Sequence, residues 1–353
     1  MPGSATTWWV LAVAVLVLVA LAVVVGLRLR ARPDPESLTA EPADRPLPAV
    51  VANPIHMEPD TRARVTTVCT ELGWQEPLWL ETTVEDPGTG QARDAIARGA
   101  DVVLACGGDG TVRSVAEVLA GTRVAMGLLP VGTGNLLARN LGTPLDLPAA
   151  ARVALTGDDR AVDVGWVRVD GAMPERTFLV MAGAGFDATV MAGTPEALKA
   201  RVGPLAYVIS GLRALRGQAA RVTLSLDEGP ELRRRTRTVL VGNCGTLLGG
   251  LVLMPAAKVD DGLLDVVSIA PSGLAGWLAV VARLLTRRRR GHERVEHWQA
   301  ESVVLTSDTP QPAQIDGDPI GDATELRVRV DRAALVVRVQ AARPDVARAS
   351  SAA

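Results

Sequence analysis

The chain has 353 residues, 48% hydrophobic and 22% charged, with 37 Lys and Arg against 39 Asp and Glu. A formal net charge of −2 argues against a general nucleic-acid binder, whose footprint is basic, and the composition excludes a disordered, collagen-like or disulfide-scaffold chain. Three scattered cysteines, Cys69, Cys106 and Cys244, are too few for a disulfide framework or a zinc cluster, and read as buried, reduced thiols.

In chain order, residues 8–27 come first, an uncharged apolar run of about 20 that suffices to cross a ~30 Å hydrocarbon core as a helix. No Lys or Arg precedes it, whereas Arg28, Arg30, Arg32 and Arg45 follow. A signal peptide would carry its charge in front. Residues 1–30 therefore read as a single-span transmembrane anchor, with the N-terminus outside and the rest of the chain cytoplasmic. Residues 31–48 are rich in Pro and charge and read as a linker. The remaining residues, roughly 300, suggest two ordinary domains.

Residues 49–52 form a short apolar strand ending at Asn53-Pro54. Residues 60–72 have helical character, 78–83 look extended and 90–98 look helical. Residues 101–106 are a continuous apolar run closed by Gly107-Gly108, the pattern of a strand buried on both faces. A helix over 112–119, a strand over 124–129, a second glycine loop and a helix from Leu136 follow. This alternation predicts a three-layer α/β domain over 49–163, a parallel sheet wrapped by helices. Beyond Asp163, short β-rich runs at 165–169, 177–181, 221–227, 236–242 and 263–269 predict an antiparallel β-sandwich over 164–324. Helices are expected at 204–216 and 274–290, closing strands at 302–305, 313–316 and 325–339, and a disordered tail over 341–353.

Chemistry concentrates in the two glycine loops. Gly107, Gly108, Asp109, Gly110 and Thr111 lie between a buried strand and a helix, where glycines let backbone amides and a helix N-terminus approach a phosphate. Asp109 would repel that phosphate unless Mg²⁺ or its water lay between them. Gly132, Thr133, Gly134 and Asn135 follow the next strand, and neighbouring parallel strands place both loops at one crevice. No GxxxxGK[ST] is present, which argues against a P-loop enzyme. The stretch from Gly183 to Ala188 matches GxGxxA but sits in the β-rich half without the acidic partner of a dinucleotide site. His56, His292 and His297 have no metal-ligand spacing.

Gly107–Thr111 (GGDGT), Gly132–Asn135 (GTGN) with Ala138-Arg139 behind it, and Asp316-Gly317 together resemble the diacylglycerol kinase catalytic domain, a family that includes bacterial lipid kinases and sphingosine kinases and is distantly related to NAD kinases. Asn53-Pro54, 162–165 (VDVG), 183–188 (GAGFDA) and 258–265 (KVDDGLLD) add to the likeness, which spans about residues 49–340 in order. The resemblance implies ATP-dependent phosphorylation of a lipid hydroxyl, with nucleotide loops in the first domain and lipid contacts in the second. It also implies a chain end, about 325–340, that packs back on the first domain.

The resemblance assigns Asp316 as general base, and Asn53 and Asp318 to the nucleotide beside the glycine-loop residues. Asp318 stands where the family has glutamate. Asp109 and Asp163 are assigned to a water-mediated Mg²⁺ network, and Asp260 and Asp261 to a structural Mg²⁺, with Asp265 able to close that cluster. Leu136 replaces an aspartate found in many relatives, which removes one carboxylate. Arg287–Arg290 would end a helix either in solvent or against anionic headgroups. The expected function is thus a membrane-anchored lipid kinase using ATP and Mg²⁺, whose partners are a lipid substrate and the bilayer and not nucleic acid. An NAD kinase and a non-catalytic nucleotide or lipid sensor are the alternatives.

Overall fold

The computed structural model describes residues 45–172, 174–185, 219–246, 252–270 and 295–341. The expected anchor, most of the linker, Phe186–Ala188 of the GxGxxA match, the helices at 204–216 and 274–290 with Arg287–Arg290, and the tail beyond Arg343 lie outside the described residues. Among the described residues no helix is long and apolar enough to cross a membrane.

Four parallel strands order as β2(Leu78–Glu81), β1(Pro48–Ala52), β3(Val102–Gly107) and β4(Ala125–Pro130). β1, β3 and β4 are buried throughout because helices cover both faces. On one face, α1(Thr61–Glu71) and α5(Leu147–Thr156) pack on Val50, Ala52, Val102 and Leu104. On the other, α2(Thr89–Ala97) and α3(Asp109–Leu119) pack on Ala49, Val51, Val103 and Ala105. The period of two sends alternate residues of β1 to opposite layers. α4(Leu136–Leu141) completes this part.

The second part is antiparallel. β5(Asp158–Val169) is one continuous strand running through Asp163, so the boundary expected there falls inside an element. β6(Arg176–Phe178) and β7(Met181–Ala184) replace the single strand expected at 177–181. β8(Ala220–Leu226) pairs with β9(Leu232–Thr236), and β10(Thr238–Gly242), β11(Leu264–Ile269) and β12(Val295–Ala300) follow. The closing strands merge into two long ones, β13(Ser302–Ile315) and β14(Asp318–Val339). β14 pairs with β13, then with β5, and reaches β4 in parallel at Val337 and Met126. The chain end thus stitches the two parts into one 14-stranded sheet. Leu224, Val239, Val266, Leu305 and Ile315 build the core of the sandwich. All three cysteines are buried and unpaired, and burial pushes the Cys106 thiol up to about 12.

Candidate active site

α3 starts at Asp109, three residues before the sequence pattern suggested. Gly108 is its extended N-cap, so the aspartate of the first glycine loop belongs to the first helical turn. From there its carboxylate reaches the second loop. Asp109 Oδ1 accepts the Leu136 N–H at 2.6 Å. Leu136, the residue that replaces an expected acid, therefore contributes its amide. The two loops are in backbone contact: a Cβ on Gly132 would lie 2.4 Å from Gly108 Cα, and one on Gly134 would lie 2.3 Å from Asp109 Oδ2. These glycines serve loop–loop packing before any ligand enters. Asn135, buried and in the left-handed region (φ 50°), spends its side chain on its own loop, with Oδ1 accepting Gly132 N–H and Nδ2 donating to Gly132 O. Thr111 is buried against Gly107, while Thr133 is exposed. Asn53 extends the β1–β3 ladder by donating its N–H to Cys106 O. Its Oδ1 caps Ile55 N–H, and this starts a single 3-10 turn that sets His56 beside Gly108.

Asp316 and Gly317 form the two-residue turn between β13 and β14, both with positive φ (50° and 90°). Asp-Gly is the residue pair such hairpin turns favour, so here a turn residue and a candidate base are the same residue. The Asp316 side chain is 2% exposed. Its Oδ1 accepts Val180 N–H at 2.9 Å and Met181 N–H at 3.0 Å, and its Oδ2 accepts Leu179 N–H at 3.1 Å. The break between β6 and β7 exists at this nest: Leu179 and Val180 turn their amides to a carboxylate instead of a neighbouring strand. Burial raises the Asp316 carboxyl above the usual range, against the opposing pull of Arg113 and the three amides.

Arg113, one turn along α3 from Asp109, joins the two parts. It donates to Ile315 O at 3.1 Å and to Asp318 Oδ2 at 2.8 Å, and stands 3.9 Å from Asp316 Oδ2. A Cβ on Gly110 would lie 3.7 Å from Asp318 Oδ2. The turn after β13 and the loop after β3, some two hundred positions apart, thus share one cleft. Burial, joined by the charges of Asp316 and Asp318, raises Asp109 to about 6, against the Leu136 and Asn135 amides. The sequence reading passed over Arg113. The available signal was its i+4 spacing from Asp109 on the glycine-loop helix.

The remaining predicted metal residues are not brought to this cleft. Asp163 is buried, but its Oδ2 accepts Gly262 N–H at 2.6 Å and its Oδ1 accepts Ala333 N–H at 2.7 Å. Each oxygen takes one amide and ties the 258–262 loop to a bulge of β14, so Asp163 serves as a structural clasp here, and among the described residues no hydrogen bond joins it to Asp109. Asp260 is neutralised by Arg160, whose Nη2 and Nε lie 2.7 and 3.0 Å from its Oδ2. Asp261 caps Leu263 N–H at 3.2 Å. Asp265 is raised to about 6, chiefly by burial and also by the charge of Asp261, with Gln299 opposing. With Asp260 held by an arginine, the predicted structural-metal set is not assembled, and among the described residues no group of three or more His, Cys, Asp or Glu could hold a metal ion.

Comparison with known proteins gives a consistent result. Residues 50–167 match the diacylglycerol kinase catalytic domain, and residues 180–339 match the YegS C-terminal NAD kinase beta sandwich-like domain. A Pseudomonas aeruginosa protein named "Probable lipid kinase YegS-like" is 36% identical over 282 residues, covering 76% of this chain and 86% of its own. A Staphylococcus saprophyticus protein named "Diacylglycerol kinase" is 30% identical over 255 residues, 70% of this chain and 80% of its own. The crystal structure of a diacylglycerol kinase from Bacillus anthracis superposes with a TM-score of 0.63 at 21% identity, covering 84% of this chain and 97% of that one, and so shares the fold.

Proposed function

The chain belongs to the diacylglycerol kinase catalytic-domain family, and on that premise we propose that it is a membrane-anchored lipid kinase that transfers the γ-phosphate of ATP to a lipid hydroxyl on the cytoplasmic side. The observation that carries the reading is that Arg113 ties the first turns of α3 to Asp316 and Asp318, whose charges in turn reach Asp109.

Phosphoryl transfer asks a protein for positioning, for charge neutralisation and for an acceptor of the hydroxyl proton. The interlocked loops supply rigid backbone amides at the start of α3 for the phosphates. Asp316 Oδ1 is saturated by two amides, whereas Oδ2 takes one and keeps a lone pair on the side of Arg113. Oδ2 is the atom that accepts the lipid hydroxyl proton. Asp316 and Asp318 share one guanidinium and add their charge to that of Asp109, raised to about 6, a surplus of negative charge that fits a divalent cation arriving with the triphosphate. Asp109 and Asp318 would hold it, with phosphate and water oxygens completing its shell. When bound, Mg²⁺ neutralises charge on the phosphoryl oxygens. The apolar run at 8–27 supports the bilayer as the place of action, since a lipid acceptor resides there.

The test supplies γ-labelled ATP and Mg²⁺ to the full chain in neutral detergent micelles containing a membrane lipid extract. Label entering a lipid fraction, and its loss in Asp316→Asn, is the expected result. Label entering NAD instead, or no fraction at all, contradicts the proposal.

A further inference from the structure

Arg113 fixes Asp316 from one side by charge, but the amides that receive its carboxylate belong to a segment that is itself held from elsewhere. Leu179, Val180 and Met181 give their N–H groups to Asp316. Carbonyls of the same stretch face the loop after β10. Val180 O accepts Asn243 N–H at 2.9 Å and Cys244 N–H at 3.3 Å, and Leu179 O accepts the Cys244 thiol at 3.4 Å. Asn243 and Cys244 are both buried. The position of the 243–246 loop therefore sets where the nest lies.

That loop is gripped from the other part of the molecule. Asn140, half-buried on the last turn of α4, donates from Nδ2 to Thr246 O at 2.9 Å and accepts Thr246 N–H on Oδ1 at 3.1 Å. One carboxamide thus pairs with both backbone groups of a residue 106 positions away, as a neighbouring strand would. Nδ2 also donates to Leu136 O at 2.9 Å. Thr246 N–H must meet an oxygen and the two carbonyls a nitrogen, so the pattern permits one orientation of the amide. A carboxylate lacks the donors for this arrangement, and a serine hydroxyl lacks the reach.

Leu136 is also the residue whose N–H meets Asp109 Oδ1 at 2.6 Å. A chain of hydrogen bonds and short backbone stretches therefore runs from Asp109 through Leu136, Asn140, Thr246 and Cys244 to the amides that hold Asp316. Leu136, Leu179, Cys244 and Met254 pack in one buried core along this route, so its links lie against packed side chains.

We propose that Asn140 is a positioning residue for phosphoryl transfer, which keeps Asp316 in register with the glycine loop that takes the triphosphate. It acts through Thr246 and the nest. The inference rests on the kinase reading for its consequence, while the linkage itself is measurable without turnover.

The test compares the full-length wild type with Asn140→Ser and Asn140→Gln. Serine keeps a donor for Leu136 O and loses Thr246, whereas glutamine restores a carboxamide. In lipid phosphorylation by ATP, Asn140→Ser should lower kcat about 10- to 100-fold, the scale of a misplaced reacting group, with KM for ATP within about twofold. Asn140→Gln should recover part of the loss. Unchanged kcat, or a raised KM with kcat intact, overturns the proposal. Amide hydrogen exchange with Mg²⁺ and a non-hydrolysable ATP analogue is the second measurement. In wild type the analogue should slow the Leu179–Met181 amides at least about fivefold, the lower end of coupling between sites. In Asn140→Ser it should protect residues 132–136 as before and leave 179–181 unchanged. Equal slowing in both proteins overturns the proposal. The Leu224 and Leu305 amides, in the sandwich core, should exchange alike in both; faster exchange there in Asn140→Ser assigns Asn140 to overall stability and counts against it. A wild type with no protection at 132–136 fails the kinase reading instead. The ligand-free proteins then decide alone: the proposal requires faster exchange at 179–181 in Asn140→Ser and falls if the rates are equal.

Discussion

Replacing Arg113 with methionine should move the pH dependence of phosphoryl transfer, and the size of the move follows from the geometry. At an effective dielectric of about 20, two unit charges at the 3.9 Å separation of Arg113 and Asp316 attract by roughly 4 kcal/mol. Arg113 is 22% exposed and divides its charge with Asp318 at 2.8 Å, so about half of that, ~2 kcal/mol, acts on Asp316. Without the guanidinium, the charged form of the buried Asp316 carboxyl loses that ~2 kcal/mol, and the carboxyl, already raised, rises further. The carboxyl must be ionised to take the hydroxyl proton, so the acid limb of the kcat profile shifts to higher pH. Arg113→Lys should shift it less. The assay is kcat against pH with saturating ATP, and circular dichroism confirms folding. An acid limb that stays in place in folded Arg113→Met would refute the claim that Asp316 is the base and Arg113 its counter-charge.

Other expectations come from the same contacts. Gly132→Ala forces a Cβ to 2.4 Å from Gly108 Cα and should cost about 1–3 kcal/mol in thermal unfolding while raising KM for ATP, because the loops must part. Asp109, raised to about 6 in the folded chain, binds more protons folded than unfolded between about pH 4 and 6, so stability should fall as pH rises through that window. Asp109→Asn should flatten this slope in denaturant titrations at several pH values. Asp163→Ala strands the Gly262 and Ala333 amides, and should lower stability by about 2–4 kcal/mol without changing the Mg²⁺ dependence of activity, in contrast to a metal ligand.

How much of this was legible beforehand depended on how local the signal was. The glycine loops and the alternation of buried strands and helices are short-range patterns, and they stand in the structure where the periodicity put them, whereas Asp316 was picked out by the resemblance. α5 was passed over although its signals are local: Asp146 caps it and Pro148 lies in its first turn. The division of residues 177–181 into two strands was invisible, since its cause is a carboxylate more than 130 positions away that claims the Leu179–Met181 amides. The partners of Asp163 were invisible for the same reason: its assignment came from the resemblance, and the two amides it holds lie 99 and 170 residues downstream. Arg160 neutralises Asp260 from 100 residues away. Nothing in the local sequence announces an arginine in the place expected for a metal.

The central claim is that phosphate passes between the Asp109 loop and the Asp316 turn. The most direct measurement is a crystal structure of the chain with Mg²⁺ and a non-hydrolysable ATP analogue. The account predicts the triphosphate on the interlocked glycine loops, with its terminal phosphate between Asp109 and Asp316. A nucleotide bound elsewhere, with Arg113 and the three carboxylates undisturbed, would contradict it.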